Sequence, residues 1–413
     1  MSPKQMSRSR LAPIGVLLLA LASPDSAQII VSGNENKIDL TSGTPRVIPP
    51  LAPDSISILN FSKFPPSVQH LSDIPNSVIG PPSNIAITAD RRIALISNSL
   101  KVDPQDATNW VPESYVHVLD LTADPPKVVG KAKAGRQPSG LSITPNGRLA
   151  LVANRADGTI SVLSISGQEV SLIQTVKVCE PQESVSDVAI SPDGRLALAS
   201  AQKGGYLSVL KIDGDTVTST GQKLSAYGQP YRVVITRAIR SDHHSIRLSA
   251  YGQPYRVVIT PDGALALTAG QGYGNGIDRD AISVIDLTAR PMRTLEYIPV
   301  GAVPESIEVS PDGKLLAAVV MNGSNLAPSD PNRSTHGALV LLARRDKTFR
   351  VVEERPIGRI PEGVAFTSDG KYLVVQCHPD RELWIFSVNR GRLKDTGQRI
   401  KVPGMPSSLR AAP

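Results

Sequence analysis

The feature that most narrows what this chain can fold into is a phrase that keeps returning along it. The phrase is a proline, two variable residues, a few alternating apolar positions, a Ser/Thr-Pro-Asp-Gly turn, and a second apolar strand. It runs from Pro138 to Ala153 and returns from Val185 to Ser200, with Val in the proline slot. Further copies begin at Pro254, Pro304 and Pro361, and a weaker one begins at Pro82. Internal repeats at such periods mark solenoids, propellers or arrays.

The chemistry of the phrase is that of a β-hairpin. Alternation of apolar and polar residues makes a half-buried strand, and Pro-Asp-Gly supplies a fixed φ followed by a position that tolerates φ > 0. A third strand follows each hairpin, such as Gly158–Ile165 or Ala281–Leu287, and then a fourth, such as Val170–Val178. Four short strands per unit, repeated around a ring, describe a propeller blade. The starts at 82, 138, 185, 254, 304 and 361 give six units. The N-terminal stretch offers strands two to four of another blade, near Ile29–Val31, Ser55–Asn60 and Ser67–Leu71, without a first strand. The tail supplies it, because Pro406–Pro413 aligns with Pro138–Pro145. The expectation is therefore an all-β, seven-bladed β-propeller over residues 28–413, its ring closed by the C-terminal strand joining the N-terminal blade.

The Ser-Pro-Asp-Gly-Arg hairpins and the run Val152-Ala-Asn-Arg-Ala-Asp-Gly-Thr-Ile-Ser-Val162 resemble the seven-bladed lactonase-type propellers and the related YVTN-repeat proteins. The resemblance covers nearly the whole chain beyond residue 28 and rests on turn and core residues. It implies a propeller fold and, as a function, hydrolysis of a small lactone or related ester. It hands over no short catalytic motif by position.

Two segments stand apart from the repeat. Lys4, Arg8 and Arg10 precede an apolar run from Leu11 to Ala22, too short to span a bilayer and of the length of a signal-peptide core. Cleavage after Ala22, or as late as Ala27, would send the chain to the periplasm or outside the cell. Residues 224–236 recur letter for letter as 248–260, which marks 224–247 as a tandem duplication or a sequence artefact. Of the two copies, only the second runs straight into Pro261-Asp-Gly263, so it is expected to supply the inner strand. The formal charge of +7 falls to +4 without the leader and to about +1 without the duplication. A nucleic-acid role thereby loses its electrostatic basis. No later apolar run reaches the ~18 residues of a membrane span.

In a propeller the loops entering the inner strands meet around one mouth of the channel, where ligand sites gather. The residues just after the repeat proline are Ser83-Asn84, Ser139-Gly140, Ser186-Asp187, Tyr255-Arg256, Glu305-Ser306, Glu362-Gly363 and Ser407-Ser408. Turn propensity accounts for the small residues but not for Glu305 and Glu362 beside Tyr255-Arg256. Two carboxylates facing a guanidinium could activate water and stabilise an oxyanion; they could equally form a belt of ion pairs. The catalytic candidates are Glu305, Glu362, Arg256 and His378, with Tyr255, Asn84 and Asp187 as binding residues. Long loops at Asn98–Glu113, Gly270–Asp280 and Asn322–Gly337 could rim the site.

No nucleophile elbow, zinc-protease motif or phosphate loop occurs. No metal or cofactor is expected, although Asn84, Asp187, Glu305 and Glu362 could supply oxygen ligands to a calcium-like ion. Cys179 and Cys377 fall on distant blades and are not expected to pair. The expected partner is a small lactone or ester. The alternative is a non-enzymatic envelope scaffold that binds another protein, and a weaker one is a relative of propeller subunits that support amine-oxidising enzymes.

Overall fold

A computed structural model describes residues 28–48, 52–226, 253–272 and 278–413. The leader and most of the duplicated segment lie outside the described residues.

Seven four-stranded antiparallel sheets form the ring. Blade 1 takes its inner strand, Met405–Ala411, from the tail and continues through Ile29–Glu35, Ser55–Asn60 and Ser67–Ser72. Blade 2 runs from Ile85–Ile87 to Lys127–Lys133, blade 3 from Pro138–Ile143 to Glu169–Lys177, and blade 4 from Val185–Ile190 to Thr216–Ser225. Blade 5 runs from Gln253–Ile259 to Arg293–Gly301, blade 6 from Pro304–Val309 to Thr348–Ile357, and blade 7 from Pro361–Phe366 to Arg392–Lys401. The second copy of the duplicated sequence supplies the inner strand of blade 5, while the first residues of the first copy finish blade 4.

The repeated turn has one geometry throughout. Its Ser or Thr hydroxyl donates to the Asp or Asn carboxyl or amide oxygen two residues on, at 2.5–2.7 Å, in Thr144, Ser191, Thr260, Ser310 and Thr367. The glycine that follows sits at φ between +67° and +71°, where a β-carbon is disfavoured. Arg91 takes that position in the weaker copy at φ +60°.

Apolar side chains on both faces of each sheet meet those of the next blade, so every junction has its own core. The junction between blades 7 and 1 buries Ile30, Leu59, Val374, Leu383, Ile385 and Leu409, and six comparable clusters fill the other junctions. Each fully buried Leu or Ile contributes about 1.5–3 kcal/mol. The closing strand pairs in register, Ile30 with Ala411 and Val31 with Arg410, and no inner edge is left open there.

Among the described residues no helix is long and apolar enough to cross a membrane. Cys179 and Cys377 are buried and free. The loop at 98–113 carries a small hairpin, Leu100–Val102 with Trp110–Pro112. Residues 273–277 of the blade 5 loop lie outside the described residues. A further loop, between Ile29–Glu35 and Ser55–Asn60, was not among those expected to rim the mouth. It forms a second hairpin, Ile38–Asp39 with Arg46–Val47.

Candidate active site

A bulge common to the inner strands decides which side chains reach the mouth. In blades 1, 3, 4, 5, 6 and 7 the register between the first two strands slips just after the repeat proline. A bulge re-aims side chains locally. Here it separates two neighbours that plain alternation left unresolved. The residue directly after the proline turns to the mouth, so that Tyr255, Glu305 and Glu362 line a cavity of about 220 Å³. The residue after that turns away, and Asn84, Asp187 and Arg256 do not line this cavity.

A second set comes from strand two of six blades. Pro138 pairs with Asn154, Val185 with Ala201, Pro254 with Gly270, Pro304 with Val320, Pro361 with Cys377 and Pro406 with Asn34. The residues one step further are Arg155, Gln202, Gln271, Met321, His378 and Glu35. The first four line the cavity beside Tyr255, Glu305 and Glu362.

Glu305 and Glu362 are both buried, yet their surroundings differ. Gln271 Nε2 donates to Glu305 Oε2 at 2.5 Å, and Tyr255 also hydrogen-bonds to this carboxyl, with Arg155 nearby. Burial pushes Glu305 up to about 8 against the pull of these partners. Neither oxygen of Glu362 has a hydrogen-bond partner. Burial first, and the neighbouring Glu305 and Glu35 next, hold it well above the usual carboxylate range. The proton therefore leaves Glu305 before Glu362. Burial and Glu305 likewise raise the Tyr255 phenol. Arg155 Nη2 donates to Gln202 Oε1 at 2.7 Å, and its Nη1 has no partner.

The expected convergence of Arg256 on the two glutamates does not form. Arg256 lies deeper in the channel, where Nη2 bonds Glu308 Oε2 at 3.0 Å and Nη1 lies 3.5 Å from Asp187 Oδ2. Arg410 of blade 1, two blades further round the ring, reaches the same Glu308 at 3.9 Å. Asp187 also accepts from Ser83 Oγ at 2.7 Å and from Val257 N at 2.9 Å. Asn84 Nδ2 donates to the carbonyls of Ser77 and Ser97. The oxygen set Asn84, Asp187, Glu305 and Glu362 is thus divided between two levels. Among the described residues no three His, Cys, Asp or Glu side chains group to hold a metal ion.

His378 is wholly buried and lies outside the cavity lining. Its Nδ1 donates to the Pro406 carbonyl at 3.1 Å, and Nε2 lies 3.8 Å from Glu35 Oε1. Burial lowers the imidazole to about 4 and raises Glu35 to about 8. Both side chains are therefore neutral at pH 7. Glu35 Oε2 accepts from the backbone N–H of Lys37 at 2.8 Å and of Ile38 at 3.0 Å. It thereby anchors the hairpin whose residues Leu40, Gly43, Thr44 and Pro45 line the cavity.

Comparison with known proteins agrees with this architecture. Residues 111–235 match the family model described as lactonase, 7-bladed beta-propeller. Among solved structures, a candidate 6-phosphogluconolactonase from Bacteroides uniformis is 18% identical, with a TM-score of 0.65 over 93% of this chain and 99% of that one. The periplasmic gluconolactonase PpgL of Pseudomonas aeruginosa is 17% identical, with a TM-score of 0.64 over 94% and 99%. A protein of unknown function from Desulfotomaculum acetoxidans is 16% identical, with a TM-score of 0.64 over the same shares. A search of curated protein sequences finds no match. The chain is a seven-bladed β-propeller, and its residues 111–235 match the lactonase family model.

Proposed function

We propose that this protein is a periplasmic or secreted hydrolase that opens a small lactone or related ester at the channel mouth. The observation that carries the reading is the pair Glu305 and Glu362, two buried carboxyls in one cavity whose surroundings hold their protons unequally. Such a division assigns a base and an acid. Glu305, the readier to ionise, takes a proton from the attacking water. Arg155, with Nη1 free, meets the negative charge that develops on the carbonyl oxygen. Glu362 delivers its proton to the ring oxygen as the carbon–oxygen bond breaks, leaving a hydroxy acid. Tyr255 and Gln271 hold Glu305 in place.

The location rests on the basic-then-apolar leader at residues 1–22. The name of the Pseudomonas relative, a periplasmic gluconolactonase, supports both location and substrate class. The test is a pH-stat assay of the mature protein on simple sugar lactones, with Glu305→Gln and Glu362→Gln each expected to lower the rate tenfold or more. No turnover across a lactone panel, with a protein partner recovered from envelope extracts, would replace this reading with a scaffold role.

A further inference from the structure

The cavity owes its shape to the hairpin at residues 38–47. The root of the hairpin is fixed from below. Glu35 caps its first two N–H groups, Lys37 pairs with Asp54 and bonds the Asn76 carbonyl, and Ile48 N donates to Lys37 O at 2.9 Å. Within it, Asp39 accepts from Thr41 N and Oγ1 at 2.8 and 2.6 Å and pairs with Arg46 at 2.8 Å. The tip is seated from the side. Leu40 packs on Val303, Met321 and Ile360, an apolar patch where blades 5, 6 and 7 meet. A β-carbon on Gly43 would lie 3.5 Å from the backbone nitrogen of Ala327, so the hairpin also touches the long loop of blade 6.

Lined by the hairpin on this side, the cavity is about 220 Å³, below the roughly 300–1,000 Å³ of sites that take drug-sized ligands. Two polar atoms at its rim, Asn325 Oδ1 and Arg155 Nη1, are buried and without partners. A buried polar atom left unpaired costs about 1–3 kcal/mol unless something supplies the missing bond.

We propose that the hairpin at residues 38–47, seated by Leu40 on Val303, Met321 and Ile360, is the specificity element of this site and limits it to one-ring ligands. This rests on the lactone-hydrolase reading. The hairpin sets what enters; Glu305, Glu362 and Arg155 set what happens to it. Asn325 accepts a hydroxyl of the seated ring.

The experiment compares kcat/KM for glucono-1,5-lactone and for the two-ring cellobiono-1,5-lactone in three proteins. These are the natural chain, Leu40→Asp, and a chain with residues 40–45 replaced by two glycines, each checked for folding by its thermal melt. The natural chain should favour the one-ring lactone at least twentyfold. Both variants should reduce that ratio at least fivefold, through a lower KM for the two-ring lactone. Equal efficiency on both lactones by the natural chain, or an unchanged ratio in both folded variants, overturns the proposal. If none of the proteins opens any lactone, the hydrolase reading fails. Calorimetric binding of the two corresponding lactams, which cannot be opened, then makes the same size comparison.

Discussion

Glu305 and Glu308 sit three residues apart on one inner strand, at two levels of the same channel, and their circumstances are opposite. At the deeper level Glu308, Arg256, Asp187 and Arg410 come from four blades, and each charge faces an opposite one. At the mouth Glu305 and Glu362 share a cavity, and Glu362 has no hydrogen bond at all. A fold gains nothing from an unpartnered buried carboxyl. The deeper cluster fastens blades across the channel. The mouth gives up stability for a site that can hold and move a proton.

The largest expected effect breaks the deeper level. Arg256→Met leaves the buried Asp187 without its paired cation and Glu308 with Arg410 alone, and should cost about 3 kcal/mol in urea unfolding, since removing one partner of a buried pair is severe. A loss under 1 kcal/mol would make the two levels alike. Next come the tenfold or greater losses of lactone opening in Glu305→Gln and Glu362→Gln, measured in proteins whose melting temperatures do not fall. A drop in melting temperature equal to that of Arg256→Met would place the glutamates with the structural charges.

The third prediction concerns pH. Glu305 and Glu35 titrate near 8 in the folded chain, above the ordinary carboxylate value. The folded state therefore holds their protons more tightly than the unfolded state does. Their contribution to stability is complete below about pH 4.5 and is lost as pH rises through 8. Urea midpoints should fall between pH 6.5 and 8, above the range where the buried His378 opposes the change, less steeply in Glu305→Gln, while lactone opening rises over the same range as Glu305 ionises. A rate that falls from pH 6 to 8 would reverse the base assignment. The smallest effect is expected from Ser139→Ala. The Ser139 hydroxyl is buried without a partner and lies outside the cavity lining, so its removal should not lower stability and should change turnover by less than twofold.

Much of this could be read from the chain itself. The repeat showed the blades, and the tail at Pro406 showed how the ring closes, because strand alternation and turn chemistry are local. The residue after each proline also named Tyr255, Glu305 and Glu362. Arg256 misled because consecutive residues cannot be assigned to levels without the bulge, which exists only once strands pair. Arg155 was within reach: it stands in the run 152–162 that carries the family resemblance, one step past the partner of Pro138. Finding it required the register between strands. His378 occupies the equivalent step in blade 7, but there the hairpin covers it. The hairpin itself follows no periodic pattern, and its seat on Val303, Met321 and Ile360 joins residues more than 250 positions apart.

The tail strand Met405–Ala411 has a consequence for how the protein comes into being. Glu35 is made before His378, and His378 before the carbonyl of Pro406 that holds it. The mouth therefore takes working form only after the strand Met405–Ala411 has come back to pair with Ile29–Glu35. A polypeptide cut short before Met405 would carry six four-stranded sheets and a first blade of three strands with its inner edge bare.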